Sequence, residues 1–187
     1  MKTPLAALAI LAAMTSHAFP LEIQGVNVPQ TVSVDGETLS LNGAGLRTVS
    51  LAFIPIKVYV AAFHAPAPLK TPAAVMASPG PLQFNFTFLR AVNQSQVTQA
   101  WQDQMQTSVT YNYPGLDKDR AAFIGMFGPL AQGGVEMVQL VGTETRVFDS
   151  GKPKGSIQGR DFQKAFLSVW FGSNPAQPDL KTALLGN

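Results

Sequence analysis

Two residues carry most of the chemistry this sequence offers. Arg47 and Tyr59 lie twelve residues apart in LNGAGLRTVSLAFIPIKVYVAAF, Leu41 to Phe63. This stretch reads as a glycine turn followed by two long β-type segments. From Arg47 the odd positions are Arg47, Val49, Leu51 and Phe53, so a strand places the guanidinium on one face with three large hydrophobes. Arginine is rarely fully buried unless it is paired. The second segment, Ile56 to Phe63, follows Pro55 and carries Tyr59 between Val58 and Val60. A cation and a phenol on neighbouring strands, both facing an apolar layer, could hold the carboxylate or phenolate of a greasy ligand. The alternative is structural: Arg47 pairs with an internal Asp or Glu, and Tyr59 is an ordinary half-buried strand tyrosine.

Other chemistries have few residues to work with. There is no cysteine, which removes thiol catalysis, disulfide exchange and thiolate metal sites together. The only histidines are His17 and His64, too few for a His-rich zinc site, and a Ser-His-Asp triad would have to use His64. His64 opens HAPAPLKTPAAVMASPGP, a Pro- and Ala-rich surface connection with a short helical turn near Ala73 to Ala77. Gly43 and Gly45 could suggest a phosphate loop, but no helix signal follows and no Lys-Ser/Thr completes it. No metal or organic cofactor has a site. Thirteen Lys and Arg against eleven Asp and Glu, with only 13% charged residues, leave no electrostatic footprint for nucleic acid.

Met1 to Ala18 has one positive charge at Lys2, an apolar core from Leu5 to Met14, and small residues at Ser16 and Ala18. That is the layout of a secretory signal cleaved after Ala18, too short to span a bilayer. The expected product is one exported domain, residues 19–187, in a periplasm, with no stable membrane insertion.

The remaining elements position the Arg47 and Tyr59 segments. Thr31 to Val34, Asp35-Gly36 and Thr38 to Leu41 predict a hairpin with a type I′ turn. Pro81 to Leu89 is a strand with Leu82, Phe84, Phe86 and Phe88 on its core face and Gln83, Asn85 and Thr87 on a wetter one. From an N-cap at Asn93 the period becomes helical, with Val97, Ala100, Trp101, Met105, Ser108 and Val109 in one stripe. A second helix is predicted over Asp117 to Phe127, burying Ala121, Phe123, Ile124 and Phe127. Strands at Val135 to Val141 and Thr143 to Phe148 turn through Asp149–Lys152 toward Gly155 to Gln158. Helices over Asp161 to Phe171 and Pro178 to Leu185 follow. Strands, two helices, strands, two helices: this order predicts an α+β fold, an antiparallel sheet with helices on one face.

Three stretches resemble one family. They are the Leu41–Phe63 segment, FNFTFLRAVNQSQVTQAWQDQM, and the tail GSIQGRDFQKAFLSVWFGSNPAQPDLKTALLGN. Together they are similar to the chalcone isomerase-like proteins, in particular the bacterial exported members. The tail carries Asp161-Phe162, Trp170-Phe171-Gly172, Pro175, Leu180-Lys181 and Leu184-Leu185-Gly186. The resemblance implies an open-faced β-sandwich, a large antiparallel sheet under a helix layer, with a ligand cleft between them. It also implies one of two functions. Plant chalcone isomerases cyclise chalcones to flavanones, as intramolecular lyases. Fatty-acid-binding relatives hold a carboxylate with an arginine and a tyrosine. Arg47 stands where the family's shared arginine stands, and Tyr59 close to the tyrosine of the fatty-acid binders.

The helix segment departs from the plant enzymes. Where they have a tyrosine, a lysine three residues on and an asparagine four further, this chain has Gln96, Gln99 and Asp103, and neither Lys nor Tyr occurs from Ala91 to Thr110. Loss of one donor aimed at a developing oxyanion costs about 2.7 to 4 kcal/mol in barrier. The expected function is therefore binding of a fatty acid or similar apolar carboxylate by Arg47 and Tyr59. Phe86, Phe88, Trp101 and Met105 are expected around the chain, and Phe84, Phe123, Phe127 and Phe166 belong to the same sheet-helix layer. The alternative is an isomerase of chalcone type in which Arg47 steers a phenolate and Tyr59 assists through a water.

Overall fold

The computed structural model describes residues 21–111 and 113–187, without the side chains of Leu51 and of residues 107–111. The expected signal segment, and the burial expected of Leu51, Ser108 and Val109, lie outside the described residues.

Among the described residues, seven strands follow one another in sheet order, each antiparallel to the next. They are β3 (Thr31–Val34), β4 (Glu37–Leu51), β5 (Ile54–Ala65), β6 (Leu82–Phe88), β7 (Val135–Val141), β8 (Glu144–Asp149) and β9 (Lys152–Gln158). A separate pair, β1 (Leu21–Ile23) and β2 (Val26–Val28), packs Val28 against Val60 and Ala62 on the face opposite the main core. The Asp35-Gly36 turn has φ of 49° and 86°, the positive pair that a type I′ hairpin requires.

Five helices lie among the described residues: α1 (Pro72–Ala77), α2 (Gln94–Tyr111), α3 (Asp117–Ile124), α4 (Arg160–Phe171) and α5 (Pro178–Leu184). Helix α2 begins with a reciprocal cap, the Gln96 N–H donating to Asn93 Oδ1 at 2.9 Å and the Asn93 N–H to Gln96 Oε1 at 3.0 Å. Helix α4 is buried over most of its length, and its aromatics meet the sheet directly: Trp170 stacks on Phe84 at 5.4 Å and on Phe86 at 5.2 Å. Rings at these separations add to what burial alone contributes.

Several expectations are corrected. Asn42, Gly43 and Gly45 form no turn; they lie inside the single long strand β4. Asn42 is an extra residue there, between the Leu41–His64 and Gly43–Phe63 pairs, and its side chain ties the sheet to α5 through Leu184 O at 2.8 Å. The glycines let α5 approach closely. A Cβ on Gly45 would lie 2.7 Å from the Ala183 methyl and 2.9 Å from Leu180 Cδ1. His64 is no surface residue, because β5 runs on to Ala65 and buries the imidazole completely, with Nε2 2.9 Å from the Pro29 carbonyl oxygen. Burial lowers its pKa, against the effect of that carbonyl. Phe53 sits fully exposed in the β4–β5 turn, with φ of 66°, rather than in the apolar layer. Helix α3 ends at Ile124, leaving Ala121 exposed and Phe127 buried beyond its C-cap. Gln83 is buried rather than wet: its Oε1 accepts from Gln139 Nε2 at 2.9 Å and its Nε2 donates to Asn85 Oδ1 at 3.2 Å.

Candidate functional site

One cavity of about 240 Å³ opens between the sheet and α2, with α4 closing its side. Its floor comes from four adjacent strands: Arg47 and Val49 on β4, Val58 and Tyr59 on β5, Phe86 and Phe88 on β6, and Glu136 on β7. Val97, Ala100 and Trp101 of α2 and Val169 and Trp170 of α4 supply apolar walls, while Arg90, Gln96 and Gln104 add polar groups.

Arg47 and Tyr59 are direct cross-strand partners, so their side chains share the cavity face. The next pair is Thr48 with Lys57, which leaves Val58 as the extra residue of a β-bulge on β5. The bulge turns two consecutive residues, Val58 and Tyr59, toward one cavity, which strict alternation forbids. The Tyr59 ring is held edge-on to Phe86 at 5.3 Å and tilted against Phe88 at 5.6 Å.

The guanidinium of Arg47 is half-buried and has no acidic partner among the described residues, whose ion pairs join Arg120 to Asp117 and Arg146 to Asp35 and Glu144. Its Nη1 donates to the Thr48 carbonyl oxygen at 2.8 Å and to Gln177 Oε1 at 3.3 Å. Gln177, the N-cap residue of α5, also accepts from the Thr48 N–H at 2.9 Å and donates to the Leu46 carbonyl oxygen at 3.3 Å. It clamps the bulge and orients the cation, whose side chain also lies against the Tyr59 hydroxyl. Burial raises the Tyr59 pKa; the nearby Arg47 charge and the Trp170 indole work against that, and Glu136 adds to it. The phenol therefore stays a neutral donor at neutral pH.

Of the residues singled out from sequence, Arg47, Tyr59, Phe86, Phe88 and Trp101 line this cavity. Met105 does not: one turn beyond Trp101 on α2, it is wholly buried in the core. Phe84, Phe123, Phe127 and Phe166 are likewise core. Asp103 leaves Arg47 alone. It faces a separate groove on α2 and accepts from Gln99 Nε2 at 2.7 Å. Only Gln96, of the three residues standing where the plant enzymes have Tyr, Lys and Asn, reaches the cavity.

Sequence reasoning missed Glu136 and the cavity role of Trp170. Glu136 is 2% exposed, and burial together with the charge of Asp149 pushes its pKa up to about 8. A signal was present, because Glu136 falls in phase with the buried Val138 and Leu140 on a strand whose inward face is otherwise apolar. Among the described residues no group of three or more His, Asp or Glu side chains could hold a metal ion. No helix among them is long and apolar enough to cross a membrane.

An antiparallel sheet under a helix layer, enclosing an apolar cavity with a cation and a phenol at one end, is the architecture of a small-ligand site. The chain belongs to the chalcone isomerase-like family, whose profile matches residues 20–186. Among solved structures it is similar to a fatty-acid binding protein of Arabidopsis thaliana, with a TM-score of 0.71 at 15% identity, over 86% of this chain and 92% of that one. At that identity the likeness establishes the fold. No curated protein matches the chain by sequence.

Proposed function

We propose that this protein is an exported, periplasmic binder of a fatty acid or similar apolar carboxylate. Arg47 holds the head group through its guanidinium, Tyr59 donates a second hydrogen bond, and Val58, Phe86, Phe88 and Trp101 receive the chain. The observation that carries this reading is the guanidinium itself: it lines an apolar cavity, is held in place by Gln177, and forms no ion pair with a carboxylate among the described residues. A charge left uncompensated in apolar surroundings favours an anionic guest. The fold shared with a fatty-acid binding protein agrees with it.

The test is direct. Organic extraction of the purified protein followed by mass spectrometry should release a fatty acid, and calorimetric titration of the stripped protein with decanoate should show saturable binding that Arg47→Ala weakens. Failure to bind any medium- or long-chain fatty acid would overturn the reading. The isomerase alternative uses the same residues, and incubation with a chalcone separates the two. A binder leaves the background loss of chalcone absorbance unchanged, whereas Arg47-dependent acceleration would make the protein an intramolecular lyase.

A further inference from the structure

Large hydrophobic side chains stand exposed at four positions among the described residues, and three of them, Val49, Phe53 and Ile54, belong to the β4–β5 hairpin. Phe53 is 101% exposed and Ile54 62%. Leu51 pairs with Ile54, so Ala52 and Phe53 make a two-residue turn, with φ of 48° and 66°. Both angles are of the left-handed kind that Asn, Asp and Gly adopt readily and a bulky side chain does not. Neither burial nor turn geometry therefore accounts for a phenyl ring at this position.

The tip adjoins the mouth of the cavity. Val49 and Ile56 are cross-strand partners and both line it. Ile54 lies two residues before Ile56 and shares its face. An apolar strip thus runs from the cavity floor out to the turn, about 10 Å beyond Val49 along the strand. Arg90, exposed, stands on the same rim. Arg47, Lys57 and Arg90 take part in none of the ion pairs among the described residues, and from Thr38 to Gln102 the chain contains no Asp or Glu.

We propose that the β4–β5 tip docks this protein on an anionic lipid surface, Phe53 and Ile54 entering the headgroup layer so that the cavity mouth faces the membrane from which its ligand is loaded. The loading rests on the carboxylate reading given above; the docking does not. A two-residue tip is far smaller than the roughly 800 Å² per partner of a stable protein interface. An aromatic and a branched aliphatic side chain backed by unpaired cations instead match a bilayer interface, with its apolar boundary under an anionic surface. Such docking is shallow and needs no segment that crosses the bilayer.

Co-sedimentation with vesicles of phosphatidylcholine, alone and mixed with phosphatidylglycerol, tests this on the native protein, Phe53→Gly and Phe53→Trp. Glycine suits the left-handed turn, so the first variant removes the ring without disturbing the hairpin. The native protein should bind the phosphatidylglycerol vesicles about 10-fold more tightly than the neutral ones, and Phe53→Gly should lose about 10-fold or more of that binding. Phe53→Trp should bind like the native protein, its emission shifting to the blue when vesicles are added. Residue 53 is outside the cavity lining, so decanoate affinity in vesicle-free buffer should be the same in all three proteins. Transfer of a fluorescent fatty acid from vesicles should accelerate with vesicle concentration in the native protein and not in Phe53→Gly. Native protein that binds neither vesicle, Phe53→Gly that binds as well as native, or an unshifted Phe53→Trp emission overturns the docking. A native transfer rate independent of vesicle concentration overturns the loading. If decanoate binds but vesicles do not, only this inference fails; if vesicles bind through the tip and no fatty acid binds, the docking stands and the carboxylate reading fails.

Discussion

Arg47 and Tyr59 face each other directly across the β4–β5 ladder, immediately before the bulge at Val58. That pairing puts a cation and a neutral phenol side by side at the edge of an apolar cavity, and the bulge adds Val58 to the same lining. The consequences are measurable.

Arg47→Ala should weaken decanoate binding by about 10- to 100-fold, the range for losing hydrogen bonds from a charged donor. Stability should change little, because the side chain is half-buried and its protein contacts are the Thr48 carbonyl, Gln177 and the Tyr59 hydroxyl, with no ion pair among the described residues. Titration calorimetry beside a thermal melt separates the two effects. A large drop in melting temperature with unchanged affinity would instead mark Arg47 as a structural residue.

Gln177→Leu removes the clamp that holds Leu46, Thr48 and the Arg47 guanidinium together. Arg47 remains, but less firmly oriented, so affinity should fall by about 3- to 10-fold, less than on removing the cation itself. An affinity equal to that of the native protein would show that the bulge needs no help from α5.

Glu136 makes stability depend on pH in an unusual direction. Its folded pKa of about 8 lies above the ordinary 4.5, so between these values the unfolded chain releases a proton that the folded protein retains. Stability should therefore be greatest below about pH 4.5 as far as this group is concerned, decline as pH rises toward 8, and level off above. The full contribution is on the order of 4 to 5 kcal/mol. Asp149, which raises this pKa, and Tyr59 and Arg47 in the same cavity are the charged or titratable neighbours to be considered. Denaturant titrations of the native protein and of Glu136→Gln across that interval should diverge, with the variant lacking the decline. Parallel curves would show that Glu136 ionises normally.

Gly45→Val should destabilise the protein by about 1–3 kcal/mol through overpacking, since even a Cβ at this position meets Ala183 and Leu180 of α5 at under 3 Å. Because α5 also carries the Gln177 clamp at its start, ligand affinity should fall along with the melting temperature. A variant that melts lower yet binds normally would uncouple helix docking from the site.

Much of the architecture follows from local pattern. Alternation in Leu82 to Phe88, the helical period after Asn93, and the Asp35-Gly36 turn each specify an element through neighbouring residues alone, and all three are present. Arg47 and Tyr59 stood out because a cation and a phenol in apolar strands are chemically conspicuous. What local pattern cannot encode is a change of register. The extra residues Asn42 and Val58 shift which side chains meet, and only the paired strands determine where they fall. Period-2 counting therefore carried Phe53 into the apolar layer, whereas the fold turns the chain there and leaves that ring in solvent. The glycines read as a turn proved to be the landing surface of α5, a helix more than a hundred residues away in the chain. Glu136 and Trp170 belong to the site for a similar reason. Each looks like an ordinary member of its own strand or helix, and only the packing of α4 over β6 and β7 brings both to the ring of Phe86. Sequence determined which residues could do chemistry and which elements carry them; three-dimensional packing decided which of them share a cavity, because burial and partnership belong to contacts between elements and not to any one of them.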